Sequence, residues 1–483
     1  MAETIRIGVE PLSWVGYEAV VYRGATVAID PANAAARHRA VLEALVGGGG
    51  VVYSVNTGYG ADASRTVPAD AIGRVQLNTV RSHAQGIGDP APETIVRGQM
   101  LLKAAAYLYG PAGLRPVVAE RLVDLLNRRI HPVVPLRGSQ SASGDLIPNA
   151  HVALALIGEG EVWLDGARVA AEAAGIDAWQ PAMKEGVAVT NDCSFAAALA
   201  IDAIRASERL VEQAELVAAM TLQALRGYPD AYDERLIACR PHAGARAAAA
   251  AMRAHLAGST LLRHPGRPHD PYSLRCIPQV HGAIRDALSY ARAALTIEIT
   301  SIGDNPVVIA DDDATLSGGN IHGEPIAIPM DTLAIALCEL AALSQRRTQH
   351  LVDCPFDLGL PAKLTADPSE QFGMLLHNTA AAALVSELRG CATPAATESI
   401  GVDAMEDHVS MAAVAARKAR HAAGLARSVV AIELLCAAQA LDFQQPDNAS
   451  PAVRVLHRAV REHVSFQTAD RPTSTARLEE LLA

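Results

Sequence analysis

Beyond about residue 195, apolar residues recur at helical spacing along the chain. Val211, Ala214, Ala218, Leu222 and Leu225 share one helix face, as do Val280, Ile284, Leu288, Ala291 and Leu295. The same period predicts long helices from Asp331 to Val352 and from Met411 to Leu441, with few internal breakers. The first third is different. Alternation around Arg23-Gly24 in AVVYRGATVAI and around Asp165-Gly166 in EVWLDGARV predicts two hairpins, and Val51 to Gly60 reads as a strand end running into a glycine-punctuated loop. Together these patterns predict a mainly α protein: long rods packed as a bundle, with a smaller mixed N-terminal part. The chain shows no repeat, low-complexity tract or linker. It is therefore read as a single unit over 1–483, with 1–195 as the N-terminal part and 196–483 as the helical bundle and C-terminal helices.

Composition narrows the picture. The chain is half hydrophobic but only 4% aromatic, and alanine-rich, which favours helices packed with close backbone approach. A net charge of -11 leaves no basic stripe for nucleic acid or an anionic membrane surface. The seven cysteines (Cys193, Cys239, Cys276, Cys338, Cys354, Cys391 and Cys436) are odd in number, scattered and without a C-x-x-C pair, so a reduced, cytoplasmic protein is expected. The start MAETIRIGVEPLSW has no basic region followed by an apolar core, and the apolar stretch from Ser428 to Phe443 is short and carries Glu433, which argues against a membrane span.

The chemistry concentrates in Gly138-Ser139-Gln140-Ser141-Ala142-Ser143-Gly144-Asp145-Leu146-Ile147-Pro148. An Ala-Ser-Gly triplet on a tight loop can turn backbone into an electrophile. Gly144 has no Cβ to hinder its nitrogen from attacking the Ala142 carbonyl, and it tolerates the strained backbone that closure needs. Loss of water from Ser143 then leaves an exocyclic methylidene. Side chains supply acids, bases and nucleophiles but few electrophiles, so such a ring fills a gap that other enzymes fill with pyridoxal or a metal.

The wider string GSQSASGDLIPNAHVALALIGEGEVW closely resembles the same region of the ammonia-lyase and aminomutase family that acts on histidine, phenylalanine and tyrosine and builds a methylidene-imidazolone (MIO) from Ala-Ser-Gly. Four further segments resemble that family, and the likeness runs down to the tail DRPTSTARLEELL. It implies an aspartase-like helical fold, a homotetramer, and MIO formed from Ala142, Ser143 and Gly144 with no external cofactor and no metal. The segment Tyr53-Ser54-Val55-Asn56-Thr57-Gly58-Tyr59-Gly60 resembles the family's Y-G-x-N-T-G-F-G, which implies that Tyr53 removes the substrate β-proton. A phenol has an ordinary pKa of about 10, so that role needs tuning by its surroundings.

Arg275, in His269-Asp270-Pro271-Tyr272-Ser273-Leu274-Arg275-Cys276, can grip a carboxylate through two parallel hydrogen bonds. The match to Y-S-L-R-C implies that role for Arg275 and a supporting one at the electrophile for Tyr272. Asn191 in GVAVTNDCS aligns with the family asparagine that orients the cofactor or substrate. Ser317 to Pro325 and Glu406 to Met411 carry the H-x-E-P and E-D-H-V-S-M forms of histidine-type members and are expected to wall the pocket. His83 occupies the position that touches the substrate ring in those members. With Glu406 it could hold both nitrogens of an imidazole.

Four residues depart from the histidine-type pattern: His269 stands for Gln, Ile321 for Phe, Met405 for Gln and Asp192 for Gly. All four are expected at or near the substrate rather than at the MIO-forming loop. The expected activity is elimination of ammonia from an L-amino acid, histidine or a histidine-like one first, giving an α,β-unsaturated acid. A 2,3-aminomutase is the alternative within the enzymes, and an inactive amino-acid-binding homologue is the alternative outside them. Neither Ser141 nor Ser143 sits on a G-x-S-x-G elbow, His322-Gly323-Glu324 lacks the P-C-x-x-C partner of a zinc deaminase, and no glycine-rich phosphate loop follows a strand.

Overall fold

The computed structural model describes residues 3–264, 268–353, 360–397, 400–401 and 405–483. Helices dominate, and the chain divides into two compact units, each drawn from three separate stretches. The first comprises Met1–Asp202, Arg292–Met330 and Pro394–Arg417; the second comprises Ala203–Ala291, Asp331–Thr393 and Lys418–Ala483.

The four small sheets among the described residues all belong to the first unit. Glu161–Leu164 and Ala167–Ala170 form the hairpin expected at Asp165-Gly166, where both turn residues have positive φ, 51° and 78°, as a two-residue turn of the primed type requires. The hairpin expected at Arg23-Gly24 does not form. Instead Thr4–Ile7 pairs in parallel with Thr26–Ile29, and the intervening AVVY belongs to the helix Trp14–Tyr22. Ser13 caps that helix by accepting the Gly16 N–H at 3.1 Å, a start signal that outweighs the short apolar alternation. Nor is there a strand end at Val51. Asn56 bonds both ways, to the Val52 N–H and the Gly50 carbonyl at 2.8 Å each, and Thr57 accepts the Ser54 N–H at 2.9 Å. These side-chain bonds replace a ladder with a self-braced turn.

The long helices fall where the apolar period put them: Ser194–Ala224, Ile277–Thr300, Glu324–Asp353 and Ala412–Phe443. In the last, Ala412, Ala415, Ala416, Ala419, Ala422 and Ala426 are all fully buried, so small side chains let neighbouring backbones approach. Glu185–Ala224, Glu324–Asp353 and Ala412–Phe443 are apolar and long enough to cross a membrane, yet 94%, 61% and 78% of their most apolar stretches are buried within the protein. In the second unit Glu433 is fully buried and receives Arg347 through Nε at 2.6 Å and Nη2 at 2.7 Å, with hydroxyls of Thr221 and Ser344 at 2.7 and 2.6 Å. Every lone pair of that carboxylate is thus engaged. The six described cysteines are unpaired, and Cys354 lies outside the described residues.

Candidate active site

The Ser194–Ala224 helix begins with orphan N–H groups and a positive dipole end, and two aspartates answer both. Asp192 Oδ1 accepts the Ser194 N–H at 2.8 Å, and Asp145 Oδ2 accepts the Ala196 N–H at 2.7 Å. Asp145 directly follows the triplet, so this capture pins one end of the loop. The other end leaves the strand Pro135–Arg137, and Ser139 and Ser141 both donate to Asp145 Oδ1, at 3.0 and 2.6 Å. Burial pushes the Asp145 carboxyl up to about 6 against these hydrogen bonds, which favour the charged form.

Between these anchors, Ala142 and Gly144 pair across Ser143 as an isolated bridge. Gly144 has φ +74°, and a Cβ added there would lie 2.3 Å from the Asp192 carbonyl oxygen. The triplet is therefore folded back on itself and seated against the backbone of residue 192. That geometry fits a ring closing from Gly144 nitrogen to the Ala142 carbonyl carbon.

Tyr53, Tyr59, Thr79, His83, Ser143, Asn191, Asn305, Ile321 and Glu406 line one cavity of about 80 Å³. Tyr53 Oη accepts the Gly60 N–H at 3.2 Å, which aims a donor at the oxygen. Beside it, Tyr59 is bound by Gln76 and Thr79, and burial raises its pKa, so it stays a phenol. His83 ends the helix Ile72–His83. Its Nδ1 lies 2.7 Å from the Thr79 carbonyl, which fixes the proton on Nδ1 and leaves Nε2 as an acceptor. Burial lowers the His83 pKa, so the ring is neutral near pH 7, although Thr79 and Glu406 pull the other way. Ser143 Oγ donates to Glu406 Oε1 at 2.5 Å. Asn191 donates its amide to Asp304 Oδ1 at 3.0 Å and to the Asn305 carbonyl at 3.2 Å, which holds the side chain in place. His322 of the H-x-E-P segment and His408 of the E-D-H-V-S-M segment lie 3.2 Å apart nitrogen to nitrogen, tying two stretches of pocket wall together.

The four departures part company. Ile321 lines the cavity, but Met405 is two-thirds exposed and His269 is exposed in the second unit. Asp192 sits beneath the triplet rather than in the substrate wall, because its carbonyl accepts the Asp145 N–H at 2.6 Å. The expectation that all four lie away from the cofactor loop is corrected at this residue. Tyr272 and Arg275 also belong to the second unit, on the short helix Tyr272–Arg275, with the guanidinium 4.4 Å over the Tyr272 ring. Arg275 Nε is buried without a hydrogen-bond partner among the described residues.

Sequence reading missed Lys103, Asn149 and Asp304, which brace Asn191 and Asp192 from behind. Lys103 Nζ meets Asp192 Oδ2 at 2.7 Å, and Asn149 Nδ2 meets the Asn191 carbonyl at 2.7 Å. A lone lysine inside the apolar run MLLKAAAYLY was the signal, since lysine is almost never buried unless paired.

Residues 12–462 match the family model described as aromatic amino acid lyase. The chain is 43% identical to a histidine ammonia-lyase of Geobacillus sp. strain WCH70, over 91% of this chain and 88% of that protein. A crystal structure of tyrosine aminomutase from Streptomyces globisporus superimposes with a TM-score of 0.92 at 33% identity, covering 99% of this chain and 96% of the other. Histidine ammonia-lyase from Trypanosoma cruzi gives a TM-score of 0.90 at 31% identity, covering 99% and 93%. With a match of this extent joined to a folded-back Ala-Ser-Gly loop beside Tyr53, the chain belongs to the aromatic amino acid lyase family.

Proposed function

We propose that the protein is an ammonia-lyase that removes ammonia from L-histidine or a histidine-like amino acid, using an MIO group made from Ala142, Ser143 and Gly144. The carrying observation is the single cavity that gathers Ser143, Tyr53, His83, Asn191 and Glu406. The MIO group supplies an electrophile for the substrate amine, which converts ammonia into a leaving group. Tyr53 is the base for the β-proton, and the Gly60 N–H stabilises the charge that develops on its oxygen. His83 Nε2 and the Glu406 carboxylate both offer acceptors, so together they suit a ring that presents two N–H donors, an imidazolium. Asn191, already tied at its amide nitrogen, turns its oxygen to orient the reacting groups. Ile321 borders the ring position and is assigned to substrate packing.

Arg275 is assigned to the substrate carboxylate, His269 to its vicinity and Tyr272 to a supporting role at the electrophile, on the strength of the Y-S-L-R-C likeness and the unpartnered Arg275 Nε. The whole chain acts as one catalytic unit in a cytoplasmic homotetramer. Supporting the assembly are Ile297, Ile328 and Ile335, 65%, 48% and 45% exposed on long apolar helices that need covering. The likeness to tyrosine aminomutase favours a second reading, in which ammonia returns to the β-carbon.

Purified protein should weigh two waters less than its sequence, convert histidine to urocanate by ultraviolet absorbance, and gain poor turnover improved by Ile321→Phe. Mass analysis of the products separates the two readings, because a β-amino acid has the mass of its substrate and no new chromophore. A full-mass protein would overturn the MIO assignment. A two-water deficit with turnover of other amino acids but none of histidine would overturn only the substrate.

A further inference from the structure

We propose that Lys103 and Asp192 are positioning residues for cyclisation of the Ala142-Ser143-Gly144 triplet; the proposal rests on the MIO reading. Residue 192 has φ +77°, a left-handed conformation that glycine adopts freely and an aspartate adopts when its side chain is fastened by hydrogen bonds. By the family likeness, histidine-type members carry glycine at this position. Here the strained backbone is held by the side chain instead. One Asp192 oxygen is bound by Lys103 Nζ at 2.7 Å and the other by the Ser194 N–H at 2.8 Å. Lys103 is itself buried, and its ammonium also donates to the Asn191 carbonyl at 3.1 Å and the Tyr107 hydroxyl at 3.2 Å. Two of the three ammonium protons are therefore spent on residues 191 and 192, and the third on Tyr107 of its own helix.

The turn is the surface on which the triplet is folded. The Asp192 carbonyl accepts the Asp145 N–H at 2.6 Å and Asn149 Nδ2 at 3.1 Å, so it cannot swing away. The nitrogen, carbonyl carbon and oxygen of Asp192 all come within 2.6 Å of where a Gly144 Cβ would sit. Gly144 is thereby held toward Ala142, its bridge partner. In the closing step a bond forms from Gly144 nitrogen to the Ala142 carbonyl carbon. The Ala142 oxygen leaves as water with the Gly144 and Ser143 amide protons, which leaves a C=N bond to Ser143 nitrogen. The second water takes Ser143 Oγ with its proton and the Ser143 Cα proton, which gives the methylidene. No oxidant or reductant enters. What the fold must supply is approach of two atoms of one chain, and a misplacement of about 1 Å can slow such a step by about a hundredfold.

Removing the cation leaves the Asp192 carboxylate buried with no opposite charge. Turning it outward relieves that cost and releases the φ +77° backbone. Lys103→Met should therefore give folded protein in which the two-water deficit accumulates at least about tenfold more slowly than in wild type. Lys103→Met combined with Asp192→Gly should restore it, because glycine holds the turn with no carboxylate to neutralise. The measurements are intact mass, the mass of the peptide spanning 138–148, and thermal unfolding of the same samples. An ion pair that served stability alone would lower the unfolding temperature while every folded chain still lost both waters. That result overturns the proposal, as does a folded double variant that keeps its full mass. Should Lys103→Met fail to fold, the double variant decides alone: a two-water deficit supports the proposal and full mass defeats it. A wild-type protein of full mass would instead remove the MIO reading beneath it.

Discussion

Replacing Gly144 by alanine separates the geometry of the proposed ring formation from its chemistry, because alanine keeps the N–H that would attack. The new Cβ would stand 2.3 Å from the Asp192 oxygen and 2.6 Å from its carbonyl carbon and nitrogen, inside the 3.0 Å that real Cβ contacts respect. These are backbone atoms, and the oxygen is held by Asp145 and Asn149, so the triplet rather than the wall must move. A left-handed alanine costs about 1–2 kcal/mol and forced overpacking about 1–3 kcal/mol, together about 2–5 kcal/mol. Since a domain is stable by about 5–15 kcal/mol, the variant should fold with a lowered melting temperature. Yet a displacement of about 1 Å should slow ring closure by about a hundredfold.

The assay is intact mass over time alongside thermal unfolding, with Gly244→Ala as the control. There the Cβ would meet the Gly282 carbonyl oxygen at 2.0 Å, an equally hard clash on the helix Ala243–Leu256 of the second unit, far in sequence from the triplet. The control should lose stability and still lose both waters. If Gly144→Ala reaches the wild-type deficit at the wild-type rate, compression against residue 192 is not what drives closure.

Two further outcomes test the electrostatics. Burial, and after it the charges of Arg97 and Arg129, hold the His131 pKa down at about 3, so the folded state refuses a proton that the unfolded chain accepts below pH 6.5. Stability is therefore lost as pH falls through 6.5, and between pH 7 and 5 urea unfolding should show wild type losing about 2 kcal/mol more than His131→Gln; equal losses would refute it. In the second unit, Arg347→Met strands the fully buried Glu433 carboxylate and should cost about 3–5 kcal/mol in urea unfolding, whereas Arg347→Met with Glu433→Leu should recover most of that. A double variant no more stable than the single one would show that packing, not the stranded charge, sets the cost.

Where the sequence carried a physical period, it was legible. The four long helices follow from apolar spacing, and Asp165-Gly166 announced its turn because both positions need positive φ. At Arg23-Gly24 and at Val51 the same reasoning failed for a local cause: short apolar runs do not distinguish helix from strand, and side-chain bonds from Ser13, Asn56 and Thr57 decided the outcome. The site divides in the same way. Tyr53, His83, Asn191, Ile321 and Glu406 were singled out by motif likeness, and the structure places them around one cavity with Ser143. Lys103 lies on the helix Glu93–Tyr109, far in sequence from Asp192, and no local pattern links two residues 89 apart.

Asp192 shows why a departure from a family pattern need not bear on the substrate. A glycine there serves by conformation alone, and a conformation can be reached either by lacking a Cβ or by fastening a side chain strongly enough to offset the strain. The second route requires partners, and here they are buried: Lys103, Ser194 and the N-terminus of a 31-residue helix. Ile321 instead lines the cavity that holds Ser143. Under the proposed MIO chemistry the two substitutions act on different steps, Asp192 on making the electrophile and Ile321 on what is presented to it. Reverting Ile321 to phenylalanine should alter preference among substrates with the two-water deficit untouched, while disturbing the Lys103–Asp192 pair should alter the deficit before it alters preference.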